Sequence, residues 1–263
     1  MLKIASWNIN SVRIRLDIIA RFVAEARPDV LCLQEIKCRN GEFPEKAFKA
    51  MGLKHLHIVG QKGWHGVAIA SRVKLEPVEF DLCPRSEARQ AVAKIDGVEI
   101  HNLYVPAGAD VPDASINPKF QHKLDFVEAM RKTYAKRKGK TPTVLVGDLN
   151  IAPGAFDVWS HKQLLSVVSH TPAETDGLIR VRDQGGFVDL AREHRPDPEK
   201  LFTWWSYRSP DYTKNNRGRR LDHIWASADL APRSQAKAFA IHAEARAWER
   251  PSDHVPVMAG FAL

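Results

Sequence analysis

The segment VLVGDLNIAP, residues 144–153, begins as an apolar run and then places an acid and an amide two positions apart, Asp148 and Asn150. In an extended chain, residues i and i+2 point to the same side. If the strand continues through Asn150, the two polar side chains face one place. Gly, Asp and Asn also close strands as ordinary turn residues. The segment therefore predicts either a plain turn or a functional site at the carboxyl end of a buried strand.

Apolar strands recur along the rest of the chain and outnumber the helices. The spacing of apolar residues predicts helices near residues 12–23, 120–130 and 171–184. No linker rich in Pro, Gly or Ser divides the chain, so we predict one domain over residues 1–263. Two packed sheets flanked by helices fit this pattern better than a simple doubly wound sheet. Strands are predicted at 2–9, 29–35, 56–60, 66–71, 91–95, 98–105, 143–148, 202–207, 220–227, 236–243 and 254–261.

The composition is that of a globular protein with a basic surface. The net charge is +8 and the pI is near 9.4, which favours polyanionic partners, with nucleic acid first among them. No apolar run approaches the ~20 residues of a membrane helix, and the N-terminus lacks the features of a signal peptide. Cys32, Cys38 and Cys83 have no CxxC spacing, so we expect reduced thiols in a cytoplasmic protein without a membrane partner.

Four further segments place polar residues at or within predicted strands: Asn8 in SWNIN, Glu35 in LQEIK, Asp222 in RRLDHI, and the pair Asp253–His254 in PSDHVPV. Each residue alone is more often an ordinary turn residue than a ligand. Together they supply several carboxylates, and an uncompensated buried carboxylate is costly, so the set indicates a metal or a cationic partner. Oxygen ligands with one histidine and no cysteine suit Mg²⁺, with Mn²⁺ as the substitute, rather than structural zinc. An acidic metal centre within a basic surface is typical of a nuclease.

Six blocks in chain order carry a resemblance that covers Trp7 to Val257. They resemble the exonuclease III family of class II abasic-site DNA endonucleases, which belongs to the DNase I-like endonuclease/exonuclease/phosphatase superfamily. The resemblance implies a four-layer α/β sandwich of two packed mixed β-sheets flanked by helices. It also implies a divalent metal and hydrolysis of DNA phosphodiesters 5′ to abasic sites and at 3′ ends, as in base-excision repair. The blocks are WNIN (7–10), LQE (33–35), NLYVP (102–106), GDLNIAP (147–153), RLDHIWAS (220–227) and SDHVPV (252–257).

The same resemblance implies which residues hold the metal and which act on the phosphate. Glu35 matches the principal metal ligand. Asp148 matches an acid/base residue, and Asp222 matches the carboxylate that orients the catalytic imidazole. The implied metal set is Asn8, Glu35, Asp148, Asn150, Asp253 and His254. The implied catalytic set is Tyr104, Asp148, Asn150, Asp222 and His254.

Five residues are implied to bind DNA. Trp204 and Leu221 match the wall of a pocket for an extrahelical abasic sugar, although for one of the pair Trp204 and Trp205 a core position is the better expectation. Arg219 departs from the pattern, since relatives often have an apolar side chain there. Arg217 and Arg219 belong to the basic loop 214–220, a candidate phosphate contact or merely a solvated loop. Arg89 matches a contact to the DNA backbone, with an exposed strand-start arginine as the alternative.

The expected partner is duplex DNA with abasic sites or 3′ ends, bound by a monomer. Three alternatives stay open. The first is a related phosphodiesterase acting on a phospholipid or inositol phosphate, which has less need of a basic aromatic loop. The second is a non-catalytic DNA-binding protein, which the unbroken catalytic blocks disfavour. The third, a secreted DNase, is disfavoured by the cysteines and the absent signal peptide.

Overall fold

A computed structural model describes residues 1–82, 84–208 and 211–263. The strands are β1 Leu2–Asn8, β2 Val30–Gln34, β3 His55–Val59, β4 Val67–Ser71, β5 Glu76–Val78, β6 Gln90–Ile95, β7 Val98–Tyr104, β8 Thr143–Asp148, β9 Phe187–Asp189, β10 Asp222–Ser227, β11 Ala240–Ile241 and β12 Val257–Phe261. The α-helices are α1 Leu16–Ala26, α2 Glu45–Ala50, α3 Pro118–Arg137, α4 His161–Leu164, α5 Pro172–Gly185 and α6 Leu190–His194.

The strands form two six-stranded sheets with the orders β11-β12-β1-β2-β4-β3 and β5-β6-β7-β8-β10-β9. Each sheet is mixed, because it contains one parallel pair among antiparallel neighbours. The parallel pairs are β1 with β2 and β7 with β8. In both pairs a helix-containing connection returns the chain to the same edge of the sheet, as parallel pairing requires.

The two sheets pack face to face and carry helices on their outer faces. The inner cluster takes apolar residues from both sheets, among them Ile4 and Ile224. The outer face of the first sheet packs on α1, and the outer face of the second packs on α3 and α5. The chain is therefore a four-layer α/β sandwich of two packed mixed sheets flanked by helices, which confirms the predicted fold class.

The period of two along each strand determines where the polar residues lie. In β1, Ile4 lies between the sheets and Trp7 lies on the outer face, so Asn8 points inward with Ile4. By the same alternation Asp148 at the end of β8 and Asp222 at the start of β10 point inward, and these two residues are register partners. Inward rows that are mostly apolar thus end in polar groups at one edge of the sandwich.

Three predicted strands are wrong in whole or part. Residues 202–207 make isolated bridges at Trp204 rather than a strand. The segment 236–243 is a 3₁₀ turn followed by two strand residues, and the last strand begins at Val257 rather than at residue 254. These stretches have strand-forming side chains, but Trp204 pairs with Arg219 and His254 in neighbouring loops rather than with a strand of either sheet.

Two of the three cysteines, Cys32 and Cys38, are buried free thiols. Burial raises the pKa of both thiols, which suits inert core residues. Cys83 lies outside the described residues. Within the described ranges, no helix has the length and apolar character needed to cross a bilayer.

Candidate active site

Asn8 joins two carboxylates at the polar edge. Its Nδ2 donates to Glu35 Oε1 at 2.9 Å and to Asp148 Oδ2 at 2.8 Å, and its own Oδ1 accepts the backbone N–H of Asn10. Asn8 and Asp148 belong to different sheets and are 140 residues apart in the chain. The amide therefore ties the metal residues predicted in one sheet to those predicted in the other.

Asp148 and Asn150 do lie together, but not because the strand continues. β8 ends at Asp148, and Asn150 has φ +53°, a left-handed conformation that asparagine tolerates. The backbone N–H of Asn150 donates to Asp148 Oδ1 at 2.9 Å, and its Nδ2 donates to Oδ2 at 3.1 Å. The extended geometry assumed from the sequence is thus wrong, and an Asx-type turn brings the two side chains into contact instead.

Asp222 and His254 form the hydrogen bond predicted between them. His254 Nδ1 lies 2.8 Å from Asp222 Oδ2, and because the carboxylate can only accept, the ring nitrogen donates. The opposite ring nitrogen, Nε2, lies 3.7 Å from Asp148 Oδ2. Thr203 Oγ1 also donates to Asp222 Oδ2, at 2.6 Å, and accepts the backbone N–H groups of Leu221 and Asp222. The imidazole is therefore aimed at Asp148 by a buried and tightly held carboxylate.

The buried acids and the imidazole have strongly shifted pKa values. Burial raises the pKa of Asp148 to about 7, although the charge of His254 opposes the shift. Burial lowers the pKa of His254, but the carboxylates of Asp222 and Asp148 outweigh it and raise the value to about 10. At neutral pH the imidazole is therefore a cation, and Asp148 is close to its titration midpoint.

Glu35 follows β2 at φ +50° and accepts hydrogen bonds from both sides of the site. The Tyr104 hydroxyl donates to Oε1 at 2.9 Å, and the Lys37 ammonium lies 2.8 Å from Oε2. Burial raises the pKa of Glu35, but the charge of Lys37 and the hydrogen bond from Asn8 outweigh it, so the pKa is lowered. Burial and the Glu35 charge raise the pKa of Tyr104, which keeps the phenol a proton donor.

Asp253 lies beside His254 in the loop before β12, so both adjacent side chains can face the site. Asp253 accepts from Asn10 Nδ2 at 3.1 Å and from the Trp204 indole N–H at 3.0 Å. The Trp7 indole N–H donates to the His254 carbonyl at 3.0 Å and fixes the backbone there. Loop geometry, rather than strand alternation, aims the two side chains.

The residues at this edge could hold a divalent cation. Asp148, Asp222 and His254 offer ligand atoms within 4.8 Å of one another, and the imidazole can bind a cation only after it loses a proton. Asp222 was expected only to orient the imidazole, yet its Oδ1 is buried and has no hydrogen-bond partner among the described residues. Lys37 already places one cation against Glu35. Crowded oxygen ligands with an unsatisfied buried carboxylate oxygen fit Mg²⁺ or Mn²⁺.

A cleft of about 500 Å³ opens beside these groups and contains most of the predicted site residues. Trp204, Arg219 and Leu221 line one wall, while Trp205 is buried in the core, as expected for one of the tryptophan pair. Arg217 is exposed, and its guanidinium carbon lies 4.6 Å from the Trp159 ring centroid.

Arg89 is 5 % exposed, so the alternative of an exposed strand-start arginine is wrong. It pairs with Glu87, and its guanidinium carbon lies 4.9 Å from the centroid of the Tyr104 ring. The described contacts make Arg89 a support for Tyr104. Its contact to DNA stays a prediction, as do those of the other DNA-binding residues.

Comparison with known proteins decides the family. The Endonuclease/Exonuclease/phosphatase family matches residues 5–254. The chain belongs to this family. Exodeoxyribonuclease III of Haemophilus influenzae is 31 % identical over 274 residues, which cover 99 % of this chain and 100 % of the relative. The resemblance predicted from the six blocks is confirmed.

Two solved structures of the endonuclease/exonuclease/phosphatase type match along the whole of both chains. An AP endonuclease from Archaeoglobus fulgidus is 36 % identical with a TM-score of 0.92. A 3′ phosphatase from Neisseria bound to a product DNA hairpin is 32 % identical with a TM-score of 0.89. This chain is therefore similar both to an AP endonuclease and to an enzyme that acts at 3′ ends.

One buried ion pair beside the cleft is not predicted from the sequence. Lys123 on α3 and Glu174 on α5 are both fully buried and lie 2.5 Å apart. Lys123 Nζ also donates to the carbonyls of Ala107 and Asn150, and Glu174 accepts the backbone N–H of Ser169. The pair thus connects three segments that line the cleft. The capping box at 171–174 was a signal for Glu174, but no local pattern points to Lys123.

Lys123→Met is expected to lower the free energy of unfolding by about 3–5 kcal/mol, because it leaves Glu174 charged and buried without its partner. The double variant Lys123→Met with Glu174→Gln should be more stable than this single variant, since it no longer buries a charge. Urea denaturation measures both effects. Lys119→Met is the matched control on the exposed side of α3, expected within about 0.5 kcal/mol of the parent. A single variant as stable as this control would contradict the role of the pair.

Proposed function

We propose that this protein is a metal-dependent DNA phosphodiesterase of the exonuclease III type. It cleaves duplex DNA on the 5′ side of an abasic site and removes nucleotides or blocking groups from 3′ ends. The observation that carries the proposal is the hydrogen-bonded group of Glu35, Asn8 and Asp148, with the His254 imidazole 3.7 Å from Asp148. These residues lie at one end of a cleft that Trp204 lines. In such a site the protonated imidazole can bind one phosphate of a polyanion, and the aromatic cleft can receive the group attached to that phosphate.

The protonated imidazole of His254 binds the attacked phosphate. Its Nδ1–H is committed to Asp222, so Nε2–H is the donor left for a phosphate oxygen. A charge-assisted bond of this kind strengthens as negative charge develops on that oxygen. The Tyr104 hydroxyl lies at the same edge, and it can donate to the phosphate only if it gives up its hydrogen bond to Glu35.

Asp148 is the general base. It accepts three hydrogen bonds, two from Asn150 and one from Asn8, which fix its carboxylate without protonating it. A pKa raised to about 7 by burial gives the carboxylate enough basicity to take a proton from water near neutral pH. Water gives a proton to Asp148 as it bonds to phosphorus, the bond to the 3′ oxygen of the DNA breaks, and that oxygen takes a proton from solvent water.

Glu35, Asp148 and the groups around them would hold the divalent cation, with Glu35 as the principal ligand. When bound, Mg²⁺ or Mn²⁺ neutralises the phosphate and stabilises the charge that develops on its oxygens. The buried Oδ1 of Asp222, which has no hydrogen-bond partner among the described residues, supports a cation at this edge. A metal at Glu35 would share that carboxylate with the Lys37 ammonium.

Glu35→Gln is expected to keep the fold and to raise the Mg²⁺ concentration for half-maximal cleavage about tenfold or more, because a neutral amide binds a hard cation weakly. A Mg²⁺ titration of cleavage at an abasic analogue measures the shift, and higher metal should recover part of the rate. Glu42→Gln, at an exposed position, is the matched control and should leave the titration unchanged. Identical titrations for Glu35→Gln and the parent would remove Glu35 from the metal set.

The deciding experiment for the proposed function is incubation with a duplex that contains one abasic analogue, in Mg²⁺ or in EDTA. Cleavage 5′ to the lesion only with metal is the expected result. Binding without cleavage would favour the non-catalytic alternative, and hydrolysis of inositol phosphates or phospholipid head groups without DNA cleavage would favour the other phosphodiesterase. The cytoplasmic location and the monomeric state stay predictions from the sequence.

A further inference from the structure

Arg219 lies in the wall of the cleft. The sequence departs from the family pattern at this position, where relatives often have an apolar side chain. Its backbone N–H and C=O pair with those of Trp204, and its guanidinium carbon lies 5.3 Å from the Trp204 ring centroid. The side chain is half-buried and faces the cleft. The Arg219 guanidinium therefore packs beside the Trp204 ring. This ring is part of the wall proposed to receive the group attached to the attacked phosphate.

Arg219 forms no salt bridge in the described part of the chain, although the charge of the buried Glu174 carboxylate acts on it from a greater distance. Nη1 donates to the Val168 carbonyl at 2.9 Å and to Ser169 Oγ at 2.7 Å, both neutral groups. Nε is buried without a partner, and Nη2 makes no hydrogen bond to any residue the structure describes. The next residue, Arg220, is instead paired with two carboxylates. Arg219 is thus held in place on one side while its remaining donors stay uncommitted.

The position of Arg219 relative to the imidazole follows from the backbone bridges. Trp204 bridges His254 on one side and Arg219 on the other. The backbones of His254 and Arg219 are therefore two strand spacings apart, which is roughly 10 Å. His254 and Arg219 both line the cleft, so a group esterified to a phosphate at His254 can extend along the wall towards the guanidinium.

We propose that Arg219 makes the cleft selective for an anionic group esterified to the attacked phosphate, over the neutral sugar of an abasic site. The chemical class is a small carboxylate on a 3′ phosphate, such as the 3′-phosphoglycolate end left when a deoxyribose is fragmented by oxidation. The proposal rests on the proposed function and specifies the substrate of the same site.

The physical reason is that an anionic group forms an ion pair with the guanidinium, whereas a neutral group only excludes water from it. A carboxylate accepts charge-assisted hydrogen bonds from the N–H groups of Nη2, because Nε is buried and Nη1 is already paired, and it neutralises the cation. A neutral sugar displaces water from the same groups without neutralising them, which costs free energy. Hydrolysis follows the same course for both substrates: water bonds to phosphorus and the 3′ oxygen leaves with a proton. For the oxidised end the products are a 3′-hydroxyl and phosphoglycolate.

Three duplexes test this selectivity with the full-length protein and Mg²⁺. One has a 3′-phosphoglycolate end, the second has the uncharged 2-hydroxyethyl ester of the same 3′ phosphate, and the third has an internal abasic analogue. The parent protein should have a higher kcat/KM for the glycolate than for the matched uncharged ester, by about ten- to a hundredfold. In Arg219→Met this ratio should fall toward one, and Arg219→Lys should keep part of it because the charge remains.

Arg217→Met is the matched control, since Arg217 lies on the same loop and is exposed. It should lower kcat/KM on all three duplexes in the same proportion and leave the ratio intact. An unchanged ratio in Arg219→Met would overturn the inference. If Arg219→Met melts at a lower temperature than the parent, only the parent protein is used for the test. Equal kcat/KM of the parent for the glycolate and the 2-hydroxyethyl ester would then overturn the inference. Failure to cleave any of the three duplexes would overturn the proposed function itself, together with what rests on it.

Discussion

Asp148→Asn is expected to lower kcat by about two to four orders of magnitude, the range that loss of a positioned general base produces. An asparagine keeps the size of the side chain but cannot accept a proton from water. The affinity for abasic DNA should change much less, because the aromatic wall and the surface arginines are untouched. Single-turnover cleavage and equilibrium binding to the same duplex separate the two effects. A parallel loss in both would assign Asp148 to binding rather than to proton transfer.

The pH dependence provides a second test of the same residue. A base acts only when deprotonated, so with a pKa raised to about 7 the rate should rise with pH through that value and then level off. A bound cation favours the carboxylate, so increasing Mg²⁺ should move this rise to lower pH. In Asp148→Asn the residual rate should lack the rise. Retention of the same profile in the variant would show that another group controls it.

Asp222→Asn is expected to lower kcat by about ten- to a thousandfold. In serine proteases the equivalent change at the orienting carboxylate costs about four orders of magnitude, and a metal centre that remains in place should retain more activity. Asp222 holds His254 Nδ1 at 2.8 Å and supplies part of the negative charge that raises the pKa of the imidazole. An asparagine there favours a neutral ring, which is a weaker partner for the phosphate.

The double variant Asp222→Asn with His254→Asn tests whether the two residues act as one unit. Its loss should be far smaller than the product of the two single losses, since removal of the imidazole leaves the carboxylate with nothing to orient. DNA affinity should fall only to the extent that His254→Asn alone lowers it. Strictly multiplicative losses would show that the pair is not coupled in catalysis, despite the hydrogen bond.

Local sequence patterns gave correct predictions where the property depends on a single strand. Alternation in β1 and β8 predicts which face is apolar, and the blocks at the strand ends identify Asn8 and Asp148 as site residues. The same reasoning failed at residues 202–207, where strand-forming aromatic residues connect two loops. It also gave the wrong reason for the contact between Asp148 and Asn150, because an asparagine can turn the chain as easily as extend it.

By itself the sequence determined the family, the sandwich of two sheets and most of the residues at its polar edge. Only the tertiary structure decided how those residues are paired. Asn8 bridges Glu35 and Asp148, Thr203 holds Asp222, and Lys123 is buried against Glu174. The physical reason is that periodicity fixes the face on which a side chain lies, while its partner depends on the register and packing of distant elements. A charge such as that of Lys123 is read from the sequence as exposed, until packing encloses it with its counter-ion.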